Sequence, residues 1–114
     1  MHDQPGPDAA RPRLLVADDE KDLLEIFSEF LKDDFDLELA STGTDAIEKL
    51  RSRPRDVVVT DINMPRADGL AVLRAAKEAN PETEVIVLTG NASTLTAIEA
   101  LREGAYDYIL KPLT

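Results

Sequence analysis

The chain has 114 residues, 43% hydrophobic and 32% charged, and its 13 Lys and Arg against 23 Asp and Glu give a net charge of −10. This length fits one domain with a single core, no apolar run approaches the roughly 20 residues that a membrane-spanning helix needs, and the acidic surface argues against direct nucleic-acid binding. The absence of cysteine excludes disulfides and thiolate metal sites and favours a reducing, cytoplasmic location.

The first twelve residues differ in composition from the rest of the chain. Residues 1–12, MHDQPGPDAARP, contain three prolines and a glycine but no apolar segment. We therefore expect a disordered leader rather than a signal peptide. The expected domain covers residues 13–114.

Short apolar segments alternate with helical patterns along this domain. Several segments are apolar almost throughout, as in strands of a parallel sheet that is covered on both faces. The predicted strands span residues 14–17, 36–40, 57–60, 84–89 and 108–110. Apolar residues at spacings of three and four predict helices over residues 20–33, 43–52, 68–79 and 93–103.

Local signals mark the ends of the predicted helices. Ser41 and Thr42 are cap candidates for the second helix, Asn80 and Pro81 form a stop signal, and Gly104 is placed as a C-terminal cap. The alternation predicts an α/β fold, a doubly wound five-stranded parallel sheet with helices on both faces. We expect the helix after the fifth strand to be missing from this chain.

Polar side chains stand at the ends of four predicted strands. Asp18 and Asp19 follow the first strand, Asp61 follows the third, Thr89 ends the fourth and Lys111 follows the fifth. Ligands collect beyond the carboxyl ends of parallel strands, so these groups are expected at one rim. Crowded carboxylates repel each other, and oxygen ligands without His or Cys favour Mg²⁺. The pattern predicts a phosphoryl-transfer site in which Asp61 is the nucleophile.

Four segments, in this order and spacing, resemble the receiver domain of bacterial two-component response regulators, in the CheY-like superfamily. They are LLVADDE, VVVTDINMPRADGL, VIVLTG and GAYDYILKPL. The resemblance runs from about Arg13 to Leu113 and implies a flavodoxin-like sheet in the order 2-1-3-4-5. It also implies that Asp61 accepts a phosphoryl group from the phosphohistidine of a sensor histidine kinase. The chain would then be a signalling phosphoacceptor rather than a turnover enzyme.

The same resemblance implies a set of metal ligands. Asp19 and Asp61 would bind Mg²⁺ together with the main-chain carbonyl of Asn63, and Asp18 would contribute through a bound water. Asn63 and Asn91 would influence the lifetime of the acyl phosphate.

A conformational switch is implied as well. Lys111 would pair with Asp61 and then with the phosphoryl oxygens, and Thr89 would turn its hydroxyl onto them. Tyr108 matches the aromatic switch of the family, so phosphorylation would change the packing of the fourth helix and fifth strand. The peptide bond between Lys111 and Pro112 would be cis.

Other interpretations stay open at this stage. Asp18 and Asp19 are also suitable helix caps, Asp61 a turn residue and Tyr108 a core residue. A turnover phosphatase and a flavodoxin-like cofactor binder are the competing functions. Against the first, the segment DIN lacks a second acid beside the nucleophile; against the second, acids stand where a phosphate-binding loop would follow LLVA.

The expected partners follow from the same pattern. A missing last helix would expose apolar surface on the first helix and last strands, which favours a homodimer or a swapped dimer. The segment around the fourth helix resembles receivers attached to transcriptional activators or hybrid kinases. An output domain or a downstream protein is therefore expected beside the kinase.

Overall fold

A computed structural model of the chain describes residues 11–64, 66–90 and 95–111. Residues 1–10 of the predicted leader lie outside the described residues, as do Asn91 and Pro112. Among the described residues, every helix is too short or too polar to span a bilayer.

Strands and helices alternate along the described residues. The strands are β1 (Arg13–Ala17), β2 (Asp36–Ala40), β3 (Val57–Asp61), β4 (Glu84–Thr89) and β5 (Asp107–Leu110). The helices are α1 (Lys21–Leu31), α2 (Gly43–Ser52), α3 (Gly69–Ala79) and α4 (Leu95–Arg102). Each predicted element is present, and most ends agree with the prediction to within one or two residues.

The five strands form one parallel sheet in the order β2-β1-β3-β4-β5. The chain runs outward from β1 to β2 and then returns past β1 to β3. Ligands of such sheets bind beyond the carboxyl ends of the strands where this reversal occurs, here between β1 and β3. The predicted fold class and strand order are confirmed.

Helices cover both faces of the sheet. Successive residues of β1 point to opposite faces and therefore pack in different clusters. Leu15 and Ala17 belong to a core cluster with residues of α2, α3 and α4. Leu14 and Val16 belong to a second cluster that contains Leu24 of α1. This double coverage explains why the inner strands are apolar almost throughout.

The helix ends follow the predicted local signals. Thr42 caps α2, because its side chain accepts a hydrogen bond from the amide of Asp45 at 3.0 Å. Asn80 is the C-terminal cap of α3. Gly104 follows α4 with a φ of 108°, a left-handed conformation in which a side chain would be strained.

The buried face of α4 contains fewer of the apolar residues than the sequence pattern predicts. Ala97 and Ala100 are buried, whereas Ile98 and Leu101 are exposed. The small side chains of α4 therefore face the core, and the larger apolar side chains remain in contact with solvent.

Apolar side chains are also exposed on α1 and β5. Phe30, which the pattern places on the apolar stripe of α1, is 76% exposed, and Ile26 is exposed beside it on the same helix. Ile109 and Leu110 of the edge strand β5 are exposed too. The expected apolar surface on the first helix and last strand is therefore present.

Candidate functional site

The carboxyl ends of β1 and β3 bring three of the predicted acids together. Carboxylate oxygens of Asp18, Asp19 and Asp61 lie within 4.8 Å of one another. Asp18 directly follows β1, Asp61 is the last residue of β3, and the two strands are neighbours with Ala17 paired to Thr60. The parallel register itself therefore produces the acidic cluster.

Asp61 is held by donors on both of its carboxylate oxygens. Its Oδ1 accepts a hydrogen bond from the amide of Asn63 at 3.2 Å, and its Oδ2 accepts one from Nζ of Lys111 at 3.2 Å. Asp61 is 6% exposed. The carboxylate therefore has a fixed orientation at the carboxyl-terminal edge of the sheet and little contact with water.

Lys111 brings a positive charge to the cluster from the end of β5. Its amide donates to the carbonyl of Thr89 at 2.8 Å, which continues the pairing of β4 and β5. Its Nζ lies 2.5 Å from Oε1 of Glu20 and 3.0 Å from Oδ2 of Asp18. Burial alone would lower the pKa of Lys111, but the hydrogen bond to Glu20 and the nearby carboxylate of Asp18 raise it above the usual range. The ammonium group therefore stays charged.

Asp18 is the fully buried member of the acidic cluster. Its Oδ1 accepts a hydrogen bond from the amide of Glu20 at 2.8 Å. Burial raises the pKa of Asp18, opposed by that amide and by Lys111, and the charge of Asp61 raises it further.

The second oxygen of Asp18 is not hydrogen-bonded within the part of the chain that the structure describes. Nζ of Lys111 is near it but not in line for a hydrogen bond, so the contact is ionic. A buried carboxylate oxygen of this kind can bind a cation or a water that a cation holds. The acids around it offer oxygen atoms alone, and this donor set fits Mg²⁺.

Thr89 and Tyr108 lie on the two strands beside the acidic cluster. Thr89 is the last residue of β4 and is buried at the same rim. Tyr108 of β5 is paired with Val87 and packs, partly buried, against the larger core cluster. The structure thus brings Thr89 to the rim, and the switching of Tyr108 stays a prediction.

Two contacts of the site were not predicted from the sequence. Glu20 binds Lys111 but was not among the predicted site residues, although it is the third acid of LLVADDE and stands next to the predicted ligands. Asn63 contributes its amide to Asp61, and the predicted role of its carbonyl in binding a metal stays a prediction.

The chain is similar in sequence and fold to proteins of one known family. The family model described as "Response regulator receiver domain" matches residues 14–114. A receiver domain protein from Clostridium thermocellum has a crystal structure that is similar with a TM-score of 0.81 and 36% identity, over 90% of this chain and 84% of that chain.

Two transcriptional regulators are similar in sequence. ZraR of Escherichia coli O157:H7 is 39% identical over 101 residues, which are 88% of this chain and 23% of ZraR. DltR of Streptococcus agalactiae serotype III (strain NEM316) is 40% identical over 101 residues, which are 88% of this chain and 45% of DltR. The chain thus spans less than half of the length of either regulator.

Receiver domains bind Mg²⁺ at an acidic cluster and interact with histidine kinases and output domains. The acids at the ends of β1 and β3 and the lysine after β5 lie at one rim of a sheet with the strand order of such a domain. The chain belongs to the response regulator receiver domain family, the CheY-like phosphoacceptor modules of two-component signalling.

Proposed function

We propose that Asp61 accepts a phosphoryl group from the phosphohistidine of a sensor histidine kinase. The observation that carries this proposal is the position of its carboxylate, which is nearly buried, held by Asn63 and Lys111, and adjacent to Asp18 and Asp19. A carboxylate with fixed direction needs little reorganisation before it attacks phosphorus.

The transfer requires only positioning and compensation of charge. An oxygen of Asp61 forms a bond to phosphorus while the P–N bond of the phosphohistidine breaks, and the electron pair remains on the imidazole nitrogen. With acetyl phosphate as the donor, a P–O bond breaks and acetate leaves. Lys111 then pairs with the phosphoryl oxygens. Water then slowly hydrolyses the acyl phosphate. The domain thus catalyses its own phosphorylation and slow dephosphorylation, and it does not turn over a separate phosphoester substrate.

The acidic cluster would hold Mg²⁺. Asp19 and Asp61 would bind the ion directly with the main-chain carbonyl of Asn63, and Asp18 would act through a water. When bound, Mg²⁺ supplies positive charge that offsets the carboxylates and the phosphoryl oxygens. Among the described residues, one oxygen of Asp18 has no hydrogen bond and the acidic cluster offers only oxygen ligands, and both observations support this assignment.

Phosphorylation would be read out at the surface of α4 and β5. The phosphoryl group adds close to two negative charges, and the hydroxyl of Thr89 would turn toward its oxygens. Tyr108 would then move further into the core, and the exposed side chains of α4 would change their packing. The location of Thr89 at the rim and of Tyr108 on the adjacent strand supports this path.

The remaining assignments concern the whole protein. The names of ZraR and DltR support an output domain that regulates transcription. The net charge of −10 supports a receiver that does not itself bind nucleic acid. We also propose a cytoplasmic location and a receiver domain over residues 13–114.

Phosphorylation of purified protein by acetyl phosphate in Mg²⁺ tests the proposed function. Intact-mass measurement should show one added phosphoryl group, with none in Asp61→Asn or after chelation of Mg²⁺. Asp33→Asn is the matched control, because Asp33 is exposed between α1 and β2, and it should label like the wild type. Labelling of Asp61→Asn, or repeated turnover of phosphoesters, would reject the assignment.

A further inference from the structure

The nearest carboxylate to the Lys111 ammonium group is that of Glu20, not that of Asp61. The distance from Nζ is 2.5 Å to Oε1 of Glu20 and 3.2 Å to Oδ2 of Asp61. The two partners differ in burial, because the side chain of Glu20 is 61% exposed and that of Asp61 is 8% exposed. An exposed acid therefore holds the one lysine that the proposed reaction uses.

We propose that Glu20 is a positioning residue for phosphoryl transfer, which holds Lys111 in the unphosphorylated domain and competes with phosphoryl oxygens for it. This inference rests on the proposed function of Asp61. Glu20 makes no bond to phosphorus; it releases Lys111 when the acyl phosphate forms.

The backbone around Glu20 fixes its place at the rim. Its amide donates to Oδ1 of Asp18 at 2.8 Å. Its carbonyl accepts hydrogen bonds from the amides of Leu23 and Leu24 in the first turn of α1, each at 3.1 Å. The side chain thus starts from a rigid position and reaches over the acidic cluster to Lys111.

The exposed side chain of Glu20 can leave Lys111 at low cost. A carboxylate that turns into water is fully hydrated, so Glu20 loses little when it leaves Lys111. Lys111 itself, which is 16% exposed, stays paired with Asp18 and Asp61. Asp18 and Asp61 are buried and have no such alternative. Of the three acids that bind Lys111, Glu20 is therefore the one that exchanges with an incoming anion.

The negative charge of Glu20 should also slow phosphorylation. Glu20 adds a fourth carboxylate beside Asp18, Asp19 and Asp61. A phosphoryl donor that approaches this rim carries negative charge and is repelled by each acid. Neutralising Glu20 should therefore release Lys111 and weaken the repulsion, and the two effects have to be separated.

Two substitutions of Glu20 separate the release of Lys111 from the weaker repulsion of the phosphoryl donor. Glu20→Gln removes the charge and the ion pair, whereas Glu20→Asp retains the charge but is shorter by one methylene group, so that it no longer reaches Lys111. Labelling by acetyl phosphate at saturating Mg²⁺ should be faster than in the wild type by about two- to fivefold for both variants. Glu25→Gln, an exposed position on α1, changes the net charge equally and should label at the wild-type rate.

A measurement without phosphorylation tests the contact itself. The NMR signal of the Lys111 ammonium group should shift in Glu20→Gln and Glu20→Asp but not in Glu25→Gln. Calorimetric titration with Mg²⁺ shows the concentration that saturates each variant, so that a change in metal affinity is not mistaken for a change in rate.

The outcomes are distinct. Unchanged rates in both Glu20 variants, or an unchanged Lys111 signal, would overturn the inference while leaving Asp61 as the phosphoacceptor. A faster Glu20→Gln with a wild-type Glu20→Asp would assign the effect to charge alone and would overturn positioning. If Asp61→Asn still labels, the proposed function itself fails, and the inference that rests on it fails with it.

Discussion

Gly69, the first residue of α3, packs directly against the main chain of Asp61. A Cβ at Gly69 would lie 2.4 Å from the carbonyl oxygen of Asp61 and 2.6 Å from Cα of Ile62. The amide of Gly69 also donates to the carbonyl of Ile62 at 2.9 Å. The helix therefore starts against the residue that the proposed reaction uses, and this contact requires the absence of a side chain.

Gly69→Ala should destabilise the fold and slow phosphorylation. The added methyl group meets backbone atoms that cannot rotate away, so α3 or the end of β3 has to move, at a cost of about 1–3 kcal/mol. Urea unfolding followed by circular dichroism measures the first effect, and labelling by acetyl phosphate measures the second.

Gly90→Ala is the matched control for stability. A Cβ at Gly90 meets no atom within 4 Å in the described structure. Its free energy of unfolding should stay within roughly 0.5 kcal/mol of the wild type. Equal stability of the two variants would contradict the importance of the close approach at Gly69.

Arg55 is a buried cation at the opposite end of the sheet. It donates hydrogen bonds to the carboxylate of Glu38 on β2 and to the carbonyls of Lys49 and Arg53 at the end of α2. Arg55→Ala should lower the free energy of unfolding by about 1–3 kcal/mol, because the hydrogen bonds of this buried guanidinium group to Glu38, Lys49 and Arg53 are lost.

Arg53→Ala is the comparison for this prediction. Arg53 pairs with Asp36, and both side chains are about half exposed. Exposed pairs contribute roughly 0–1 kcal/mol, so this variant should unfold near the wild-type midpoint. An Arg55 variant that is as stable as the Arg53 variant would show that the buried arginine is dispensable.

Stability at acidic pH should depend on the pair formed by Arg74 of α3 and Glu103 after α4. Nε and Nη2 of Arg74 donate to the two carboxylate oxygens of Glu103 at 2.7 and 2.8 Å. The hydrogen bonds from Arg74 hold the pKa of Glu103 below its ordinary value of 4.5. The pair therefore stabilises the fold above that value, and its contribution is lost as the pH falls through the lowered pKa.

Carboxyl NMR titration of Glu103 measures this effect. Arg74→Ala should return the pKa of Glu103 toward its ordinary value, and Arg74→Lys, which keeps the charge but loses the two-pronged geometry, should give an intermediate value. A Glu103 titration that is the same in all three proteins would contradict the pairing.

Association of the isolated chain should proceed through the apolar side chains on α1 and β5. Sedimentation velocity at increasing concentration should show a dimer, and Phe30→Ser should weaken it because Phe30 is the most exposed apolar residue described on α1. Leu95→Ser removes a similarly exposed side chain from α4. A monomeric wild type, or dissociation caused by the Leu95 variant instead, would contradict this interface.

The fold was predictable because each local signal agrees with the others. Thr42 and Asn80 mark helix ends, and the apolar strands indicate a sheet that is covered by helices on both faces. The positions of Asp61 and Lys111 followed from the parallel register, because all strands of such a sheet end at one rim.

The remaining features depend on neighbours that periodicity does not reveal. The helical spacing places Phe30 and Ile98 on apolar stripes, but only packing decides that both are exposed. The contact of Glu20 with Lys111 depends on how far two long side chains reach across the rim. The close approach at Gly69 is likewise a property of three-dimensional packing, because a glycine before a helix is otherwise an ordinary sequence feature.

Within the described part of the chain, the cation that pairs with the acidic cluster is Lys111, which is distant in sequence from the acids. Lys111 is 91 residues away from Glu20 and 50 away from Asp61 in sequence. During synthesis the acids leave the ribosome first and remain uncompensated until β5 pairs with β4. The proposed phosphorylation site is therefore complete only after β5 has docked on β4.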